Sequence, residues 1–512
     1  MIKLKANRRR NSRTGSSKQD QEASQKTDHI PSNLEELKER LKNELGYKKS
    51  FDIVVREMNI AGKKVMFVYL SGLVNSDLLT DVLNRLTLLD DGEVSRAVFN
   101  DFFDKYVPAG QANAEDSWSK VLTNVLSGMA AFFMDGEHDC IVLDVRNYPS
   151  RSLEEPSLEK VVRGSRDGFV ESIITNISLV RRRIRDPQLR YELLQVGERT
   201  QTDVVIAYID DIVDHQLVDS FRSKVESIKI DGIPLADKQL EEATIKRGWN
   251  PFPLVRYSER PDTVSSHLLE GAVVVFVDSS PSVMILPTTY ADLVQHAEEI
   301  RQTPFIGTYL RWVRFFGIIA SLIMLPLWLL FVMYPEFKPA SLDFLGPEKV
   351  GKIPLFVQFL IAELGIDLMR MASVHTPSSL STAMSLVAAI LIGDIAVQTG
   401  LFNNEVILYM AVSAVGMFAT PSYELGLANR IVRLVLILAV AIFGAPGLVV
   451  TAVAIFLALV CERSLNRPYM WPFIPFDLQG MISIILRKPV LFNRKRPNIL
   501  RPQQQNKMPS DN

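Results

Sequence analysis

The chain is poor in cysteine. Cys140 and Cys461 are its two thiols among 512 residues, and they fall in different halves. So low a count excludes a disulfide framework and a cysteine-based metal spacing, and it suits a reducing compartment. A surplus of charge is missing as well: 57 Lys and Arg stand against 58 Asp and Glu, for a formal net charge of −1. That balance says little by itself, because it blends two halves of different character. The signatures of common catalysts are absent too. There is no phosphate-binding loop, no HExxH and no Gly-x-Ser-x-Gly. No catalytic residue, metal ligand or cofactor is therefore assigned, and an enzyme is the least supported class. The first thirty residues carry Lys3, Lys5, Arg8, Arg9, Arg10, Arg13 and Lys18 but no apolar h-region, so they do not read as a secretory signal. Residues 1–32 read as a disordered basic tail. Attraction to anionic lipid is its second use, and no nucleic-acid partner is expected.

What the chain does have is one abrupt change of character near residue 312. Residues 315–334 form a stretch of 20 without a charge. At about 1.5 Å of rise per helical residue such a run spans about 30 Å, the hydrocarbon thickness of a bilayer. The expected architecture is an α/β cytosolic head of two lobes followed by an α-helical polytopic transmembrane domain. The first lobe covers 33–150. Leu34, Leu37, Leu41 and Leu45 recur at helical spacing, with Gly46 as a stop. Residues 64–70 and 141–145 read as strands, with helical patterns at 77–89 and 117–134. Residues 151–156 look like a linker. The second lobe covers 151–310, with helical patterns at 167–184 and 215–228 and strands at 204–208, 273–277 and 283–286. Glu137, His138, Asp139 and Cys140 concentrate reactive types, but at a helix-to-strand transition that reads as a solvated loop. Asp210 and Asp211 lack a companion ligand. Arg181, Arg182, Arg183 and Arg185 end a helical pattern, where cations suit the helix dipole, and a structural or inter-subunit role is preferred over anion binding.

Six segments are drawn in the membrane half (311–465), at 315–334, 354–372, 377–399, 406–423, 434–443 and 448–461. The last two are separated by Gly444-Ala-Pro446-Gly447, which forces a kink or turn. Basic loops, counted at Arg301, Arg311 and Arg314, at Arg370 and His375, at Arg430 and Arg433, and at Arg463, Arg467, Arg487 and Lys488, alternate with loops that lack net positive charge. The alternation places the head and the C-terminal tail (466–512) on the cytoplasmic side. Polar residues inside the segments carry the functional reading, because an ionised group in hydrocarbon costs at least a few kcal/mol unless paired or wetted. Glu363, Asp367 and Arg370 share one helical face with Phe356 and Phe359. Such a stripe faces protein or water, as a buried Asp367–Arg370 pair or as a net acidic ion path. Asp394 is a second ion-path candidate. Thr420-Pro421-Ser422-Tyr423-Glu424 interrupts the fourth segment, and Pro421 leaves the Met417 carbonyl without its usual donor. Broken helices are tolerated at depth where they line protein or a watery cavity.

At these residues the chain resembles the A subunits of bacterial spore germinant receptors. The markers are Arg163-Gly-Ser-Arg-Asp-Gly-Phe169, Asn176-Ile-Ser-Leu-Val-Arg-Arg-Arg183, Ser280-Pro-Ser-Val-Met-Ile-Leu-Pro-Thr-Thr289 and Thr420-Pro-Ser-Tyr-Glu424. The match runs from about residue 35 to 490. Gly232-Ile-Pro-Leu-Ala-Asp237, Ser258-Glu-Arg-Pro-Asp262, Val294-Gln-His-Ala-Glu298, Arg311-Trp-Val-Arg-Phe-Phe-Gly317 and Tyr469-Met-Trp-Pro-Phe473 narrow it to one branch. The resemblance implies a protein of the inner membrane of the bacterial endospore that helps spores germinate. It implies a homo-oligomer that conducts ions beside a small membrane partner subunit and other germination proteins, with membrane lipid around it. The leading expectation is a homo-oligomeric cation channel that relays or amplifies the germination signal. The alternatives are a secondary ion transporter and a non-conducting scaffold for germination proteins.

Overall fold

The computed structural model describes residues 28–60, 62–87, 112–149, 159–245, 248–342, 346, 351–375 and 395–507. Residues 1–27 of the expected basic tail, the linker at 151–156, residues 377–394 of the third expected segment and Asp394 with them lie outside these residues. The first lobe runs α1 (Leu34–Glu44), β1 (Ile53–Ile60), β2 (Lys63–Leu70), α2 (Ser76–Leu86), β3 (Ala112–Glu115), α3 (Trp118–Leu126), β4 (Ala130–Met134) and β5 (Cys140–Leu143). Its strands form one sheet in the order β1-β2-β4-β5-β3, and every neighbouring pair is antiparallel. Leu34, Leu37 and Leu41 are the buried stripe of α1, and Asn33 caps it by accepting from the Glu35 amide. The helical pattern expected over 117–134 is corrected. The helix stops at Leu126, Gly128 turns the chain at φ 96°, and the remainder is β4, buried along its whole length. A short, continuous apolar run fits a buried strand as well as a helix, which is why its periodicity misleads.

The second lobe repeats the plan. It runs α4 (Ile173–Arg183), β6 (Leu189–Val196), β7 (Thr202–Ile209), α5 (His215–Glu226), α6 (Ala236–Thr244), β8 (Arg256–Ser258), α7 (Pro261–Glu270), β9 (Val273–Val277) and β10 (Val283–Leu286). Its antiparallel sheet has the order β6-β7-β9-β10-β8, the first lobe's order strand for strand. Residues 65–86 and 204–225 align without a gap. Tyr69 matches Tyr208, Val74 matches Val213, and the helix caps Asn75 and Asp214 coincide. Asp135 donates its amide to the Lys64 carbonyl at 3.0 Å, and Asp278 donates to the Asp203 carbonyl at 3.0 Å in the matching place. The head is one fold used twice.

The two copies are fused by a buried ion pair. Arg181, expected to serve structure or a subunit contact, reaches from α4 to Asp52 of the first lobe at 2.9 Å, with side chains 2% and 3% exposed. Ser50 donates to Asp52 at 2.6 Å, Arg181 also donates to the Leu189 carbonyl, and its guanidinium lies over the Tyr191 ring. Both charges are thus paired and hydrogen-bonded, the condition under which burial is tolerated.

Four long helical stretches follow among the described residues: α8 (Pro304–Met333), α9 (Leu355–His375), α10 (Asn404–Phe418) and α11 (Tyr423–Cys461), the last made of two helices that meet at Gly444. Among the described residues α8 and α11 are long and apolar enough to cross a membrane, and α10 is a shorter apolar helix. The expected count of six segments is therefore not reproduced among these residues. The boundary set at 311 falls inside α8, which starts at Pro304 behind the cap Thr303. The segments drawn at 434–443 and 448–461 are two helices that meet at a break at Gly444, and the first of them begins at Tyr423 and takes in 423–433, so Arg430 and Arg433 are helix residues and not loop cations. Arg370 is likewise inside α9. The kink expected at the Gly-Ala-Pro-Gly quartet is present, with Gly444 at φ 63° and ψ −142°. At the other crossing, a methyl group on Gly416 of α10 would meet the Gly317 carbonyl of α8 at 2.2 Å, so only glycine lets these helices approach.

The C-terminal portion is folded rather than a tail. After a short hairpin (Arg463–Ser464 with Arg467–Pro468), α12 (Leu478–Ile485) and the chain to 507 return to the head. Leu465 and Tyr469 join one core of the second lobe, and Trp471, Ile499 and Leu500 join the other. Head and C-terminal portion therefore pack against one another.

Two outcomes test these contacts. Asp52→Ala strands the Arg181 charge and is expected to cost about 3–5 kcal/mol, seen as a lowered midpoint in chemical denaturation. A change below about 1 kcal/mol would mean that water or relaxation replaces the pair. Gly444→Ala forces a side chain into a backbone region reserved for glycine and sets its Cβ 2.9 Å from the Tyr334 ring. Thermal denaturation in detergent is expected to show a clear loss there. Gly365→Ala, where a methyl group meets no atom within 4 Å, is expected to show none.

Candidate functional site

The sequence-predicted stripe on α9 meets α11. Glu363 is 1% exposed. Its carboxylate lies between two guanidinium groups of α11, with Arg430 Nε at 2.8 Å and Arg433 Nη2 at 2.5 Å. Arg430 also donates to Asp367 and to the Glu363 carbonyl. The expected partner of Asp367 was Arg370, and the ion pair found runs to Arg430 on the neighbouring helix. Arg370 instead lies over the rings of Phe418 and Tyr423, 5.6 and 5.4 Å from their centroids. Phe359, on the same face, is fully buried and meets Trp328 edge to face at 5.6 Å.

Arg433 extends the polar network to the other helices. Its Nη1 donates to the Ser413 hydroxyl of α10 and to the Ser321 carbonyl of α8, both at 2.8 Å. Ser413 donates to the same Ser321 carbonyl at 2.9 Å. Two carboxylates and two guanidiniums thus balance one another inside an apolar bundle and bridge its helices. The sequence reading missed Arg430 and Arg433 because the uncharged run begins only at 434, which made them look like loop flanks. Their spacing of three residues, beside Glu363 and Asp367 spaced by four, was the available signal.

The motif from Thr420 to Glu424 does not break a helix. It connects two. Helix α10 ends at Phe418, and the Met417 carbonyl, expected to lack a donor, accepts from the Thr420 amide at 3.0 Å. Pro421 sits in the turn, and the Ser422 hydroxyl caps α11 by accepting from the Leu425 amide at 3.3 Å. Tyr423 and Glu424 open α11, where an acidic side chain suits the helix dipole.

This turn forms one wall of a cavity of about 450 Å³ between the helices and the second lobe. Arg370, Phe418, Pro421 and Glu424 line it from the helices, and Lys238 and Ser282 line it from the head. Two of the sequence motifs that are remote in the chain, 280–289 and 420–424, therefore face one space. Lys238 crosses the joint, 2.8 Å from Glu241 and 2.9 Å from Glu424. Desolvation lowers its pKa, but the hydrogen bonds to these two carboxylates outweigh it and the net shift is upward. Tyr257 donates to Glu241 at 2.8 Å. Burial, then the charge of Glu241, pushes this phenol well above its ordinary range.

The remaining candidates have structural surroundings. His138 contacts the Ile30 carbonyl through Nδ1, and Cys140 is buried in β5, where desolvation raises its pKa. Asp210 lies 3.1 Å from Lys49, 3.4 Å from Arg190 and 3.8 Å from His215. Among the described residues no group of three or more His, Cys, Asp or Glu side chains could hold a metal.

A helical bundle clamped by buried ion pairs under an α/β head defines the class, and comparison with known proteins gives the family. The family model described as Bacillus/Clostridium GerA spore germination protein matches residues 37–499. Stage V sporulation protein AF of Bacillus subtilis is 44% identical over 92% of this chain and 96% of its own. Spore germination protein KA of the same organism is 31% identical over 89% of this chain and 84% of its own. Among solved structures, the N-terminal domain of the A subunit of the Bacillus megaterium spore germinant receptor GerK3 matches at 27% identity and a TM-score of 0.40. That match covers 50% of this chain and 95% of the domain. The chain belongs to the GerA family of spore germination proteins.

The Lys238–Glu424 tie yields a test. Lys238 is 40% exposed, so solvent screening limits the pair, and a double-mutant cycle of Lys238→Met with Glu424→Gln is expected to give a coupling of about 0.5–1 kcal/mol. Because the folded-state pKa of Lys238 is raised, its contribution is complete below the unfolded value of 10.5 and is lost as pH rises past it. The coupling should therefore be flat through neutral pH and fade only in alkali. Thermal denaturation of the four variants across pH measures both, and a coupling lost near neutrality would contradict the assignment.

Proposed function

We propose that this chain is a subunit of a homo-oligomeric cation channel in the inner membrane of the endospore that relays or amplifies the germination signal. Helices α8 and α11 cross the bilayer, and the head and C-terminal portion lie on the cytoplasmic (core) side. The observation that carries the reading is the clamp of Glu363 and Asp367 by Arg430 and Arg433. Ionised groups in hydrocarbon are costly, and apolar side chains of similar volume would hold a purely structural bundle at least as well. With Arg430 in place the two carboxylates are neutralised, which is the closed arrangement. Release of Arg430 frees Asp367 and leaves Glu363 with Arg433 alone, and an oligomer repeats the freed carboxylate as a ring that concentrates cations. The head reaches this clamp through Lys238 and Glu424 at the start of α11, two turns before Arg430. Other germination proteins, among them a small membrane partner subunit, supply the signal, and no enzymatic step is part of this role.

A second reading, a secondary transporter, is favoured by the break at Gly444, since interrupted helices carry ion sites in such proteins. Single-channel steps in a planar bilayer separate the two.

Flux of a monovalent cation into liposomes tests the proposal. Glu363→Gln and Asp367→Asn remove acidic charge and should lower flux. Arg430→Gln should raise basal flux about tenfold, the factor that corresponds to losing about 1.4 kcal/mol from the closed state. Size-exclusion chromatography of each variant checks that the assembly persists. Unchanged flux and selectivity in all three assembled variants would leave the clamp as scaffolding.

A further inference from the structure

The returning C-terminal portion leaves a cavity of about 530 Å³ against the beginning of α8. Its wall is basic. Lys488, Arg494 and Lys495 line it, and none of the three has a carboxylate partner among the described residues. The three acids on the same wall are engaged elsewhere: Glu270 pairs with Lys507 at 2.7 Å, Asp292 accepts from the Thr289 amide and hydroxyl, and Asp477 caps α12 by accepting from the amides of Gln479 and Gly480. Arg487 adds a further cation, donating to the carbonyls of Ile300 and Gln302. Desolvation, then the nearby charge of Arg311, pushes its pKa down, the direction expected where cations crowd without enough anions.

The rim of the same cavity is apolar and uncovered. Val490, Leu491 and Phe492 are 71%, 70% and 75% exposed. On α12, Leu478, Ile482 and Ile485 are exposed while Gly480 and Ile484 face inward. The level is set by Trp312, whose indole donates to the Ile485 carbonyl at 3.0 Å just before the uncharged run of α8 begins. Exposed apolar side chains beside unpaired cations, at the depth where a span enters the bilayer, are the composition of an interfacial segment. An acidic soluble partner would satisfy the cations but would leave the rim in water. Inorganic phosphate would do the same.

We propose that this cavity is a binding site for the headgroup of an anionic phospholipid. Lys488, Arg494 and Lys495 meet its phosphate, and the 490–492 rim enters the acyl region. The site rests on the membrane-spanning reading but not on conduction. It anchors the C-terminal portion, and through it the second lobe, to the cytoplasmic leaflet, whose negative surface potential favours such a cluster.

The test uses the full chain purified in detergent and transferred to phosphatidylcholine nanodiscs with or without phosphatidylglycerol. Lipid retained by the protein is read by native mass spectrometry. Wild type should select phosphatidylglycerol. Lys488→Gln with Arg494→Gln and Lys495→Gln should lose that preference on the order of a hundredfold, since each basic residue near a membrane surface contributes about one kcal/mol. A second variant, Leu491→Ser with Phe492→Ser, should weaken lipid retention while leaving the cations intact. Carbonate extraction of membranes runs in parallel: both variants should stay in the pellet, because α8 and α11 hold them there. Wild type released by carbonate would overturn the membrane reading itself. With wild type in the pellet, an unaltered phosphatidylglycerol preference in both variants would overturn the lipid site. So would full displacement of the lipid by excess inorganic phosphate, which would reassign the cavity to free phosphate.

Discussion

The arrangement of the helices depends on keeping one buried carboxylate neutralised. Glu363 sits where hydrocarbon or packed side chains surround it, and an isolated charge there is not tolerable. Arg430 and Arg433 answer it from α11, and Arg433 then draws Ser413 of α10 and Ser321 of α8 into the same network. The four helices are thus oriented by electrostatics as much as by shape. Apolar helices in a bilayer gain little from burying apolar surface against each other, so polar contacts and close backbone approach decide which faces meet. The crossing at Gly416 supplies the second of these, where α8 and α10 touch backbone to backbone.

The head poses a different problem and solves it by repetition. Two copies of one antiparallel α/β unit lie side by side, and the Asp52–Arg181 pair sits where they join. Among the described residues the second copy is the one whose core joins the helices. Its core continues without interruption into Ile318 of α8 and into Leu425, Ala428 and Val432 of α11. Glu299, fully buried just before α8, holds Arg311 at 2.7 Å and also contacts Arg314, so the chain leaves the head in a fixed direction. A movement of the second lobe therefore has a mechanical route to α11, the helix that carries Arg430. Contiguity of this kind becomes coupling only when the joint has two stable states. The cavity of about 450 Å³ around Lys238 and Glu424 is where a second state has room.

Much of the head was legible in the residues. Strands β9 and β10 are uninterrupted apolar runs bounded by turn residues, and their limits were read correctly. Strands β1 and β6 were missed because Arg56, Glu57 and Glu192 interrupt the apolar pattern of edge strands that face water on one side. The duplication was missed for a related reason. What the two copies share is the apolar pattern and the helix caps, with few identical residues. On α9 the polar face was legible, since Glu363 and Phe359 are buried and the half-exposed Asp367 reaches Arg430 beside them. Its partners were not, because nothing local shows that a helix beginning at Tyr423 runs through two arginines into the apolar run. Hydropathy marks where lipid is tolerated, not where a helix starts. The turn at Thr420–Glu424 fell to the same difficulty, being read as a fault within one helix when it is the joint between two.

Electron cryomicroscopy of the full-length protein in lipid nanodiscs tests the central claim most directly. The account predicts a closed ring of subunits in which α9 borders a central path, with Glu363 and Asp367 clamped by Arg430 beside it and the heads gathered on one side. A monomer, or a ring whose axis is lined by other helices while the Glu363–Arg430–Arg433 network stays sealed against protein on every side, would contradict it.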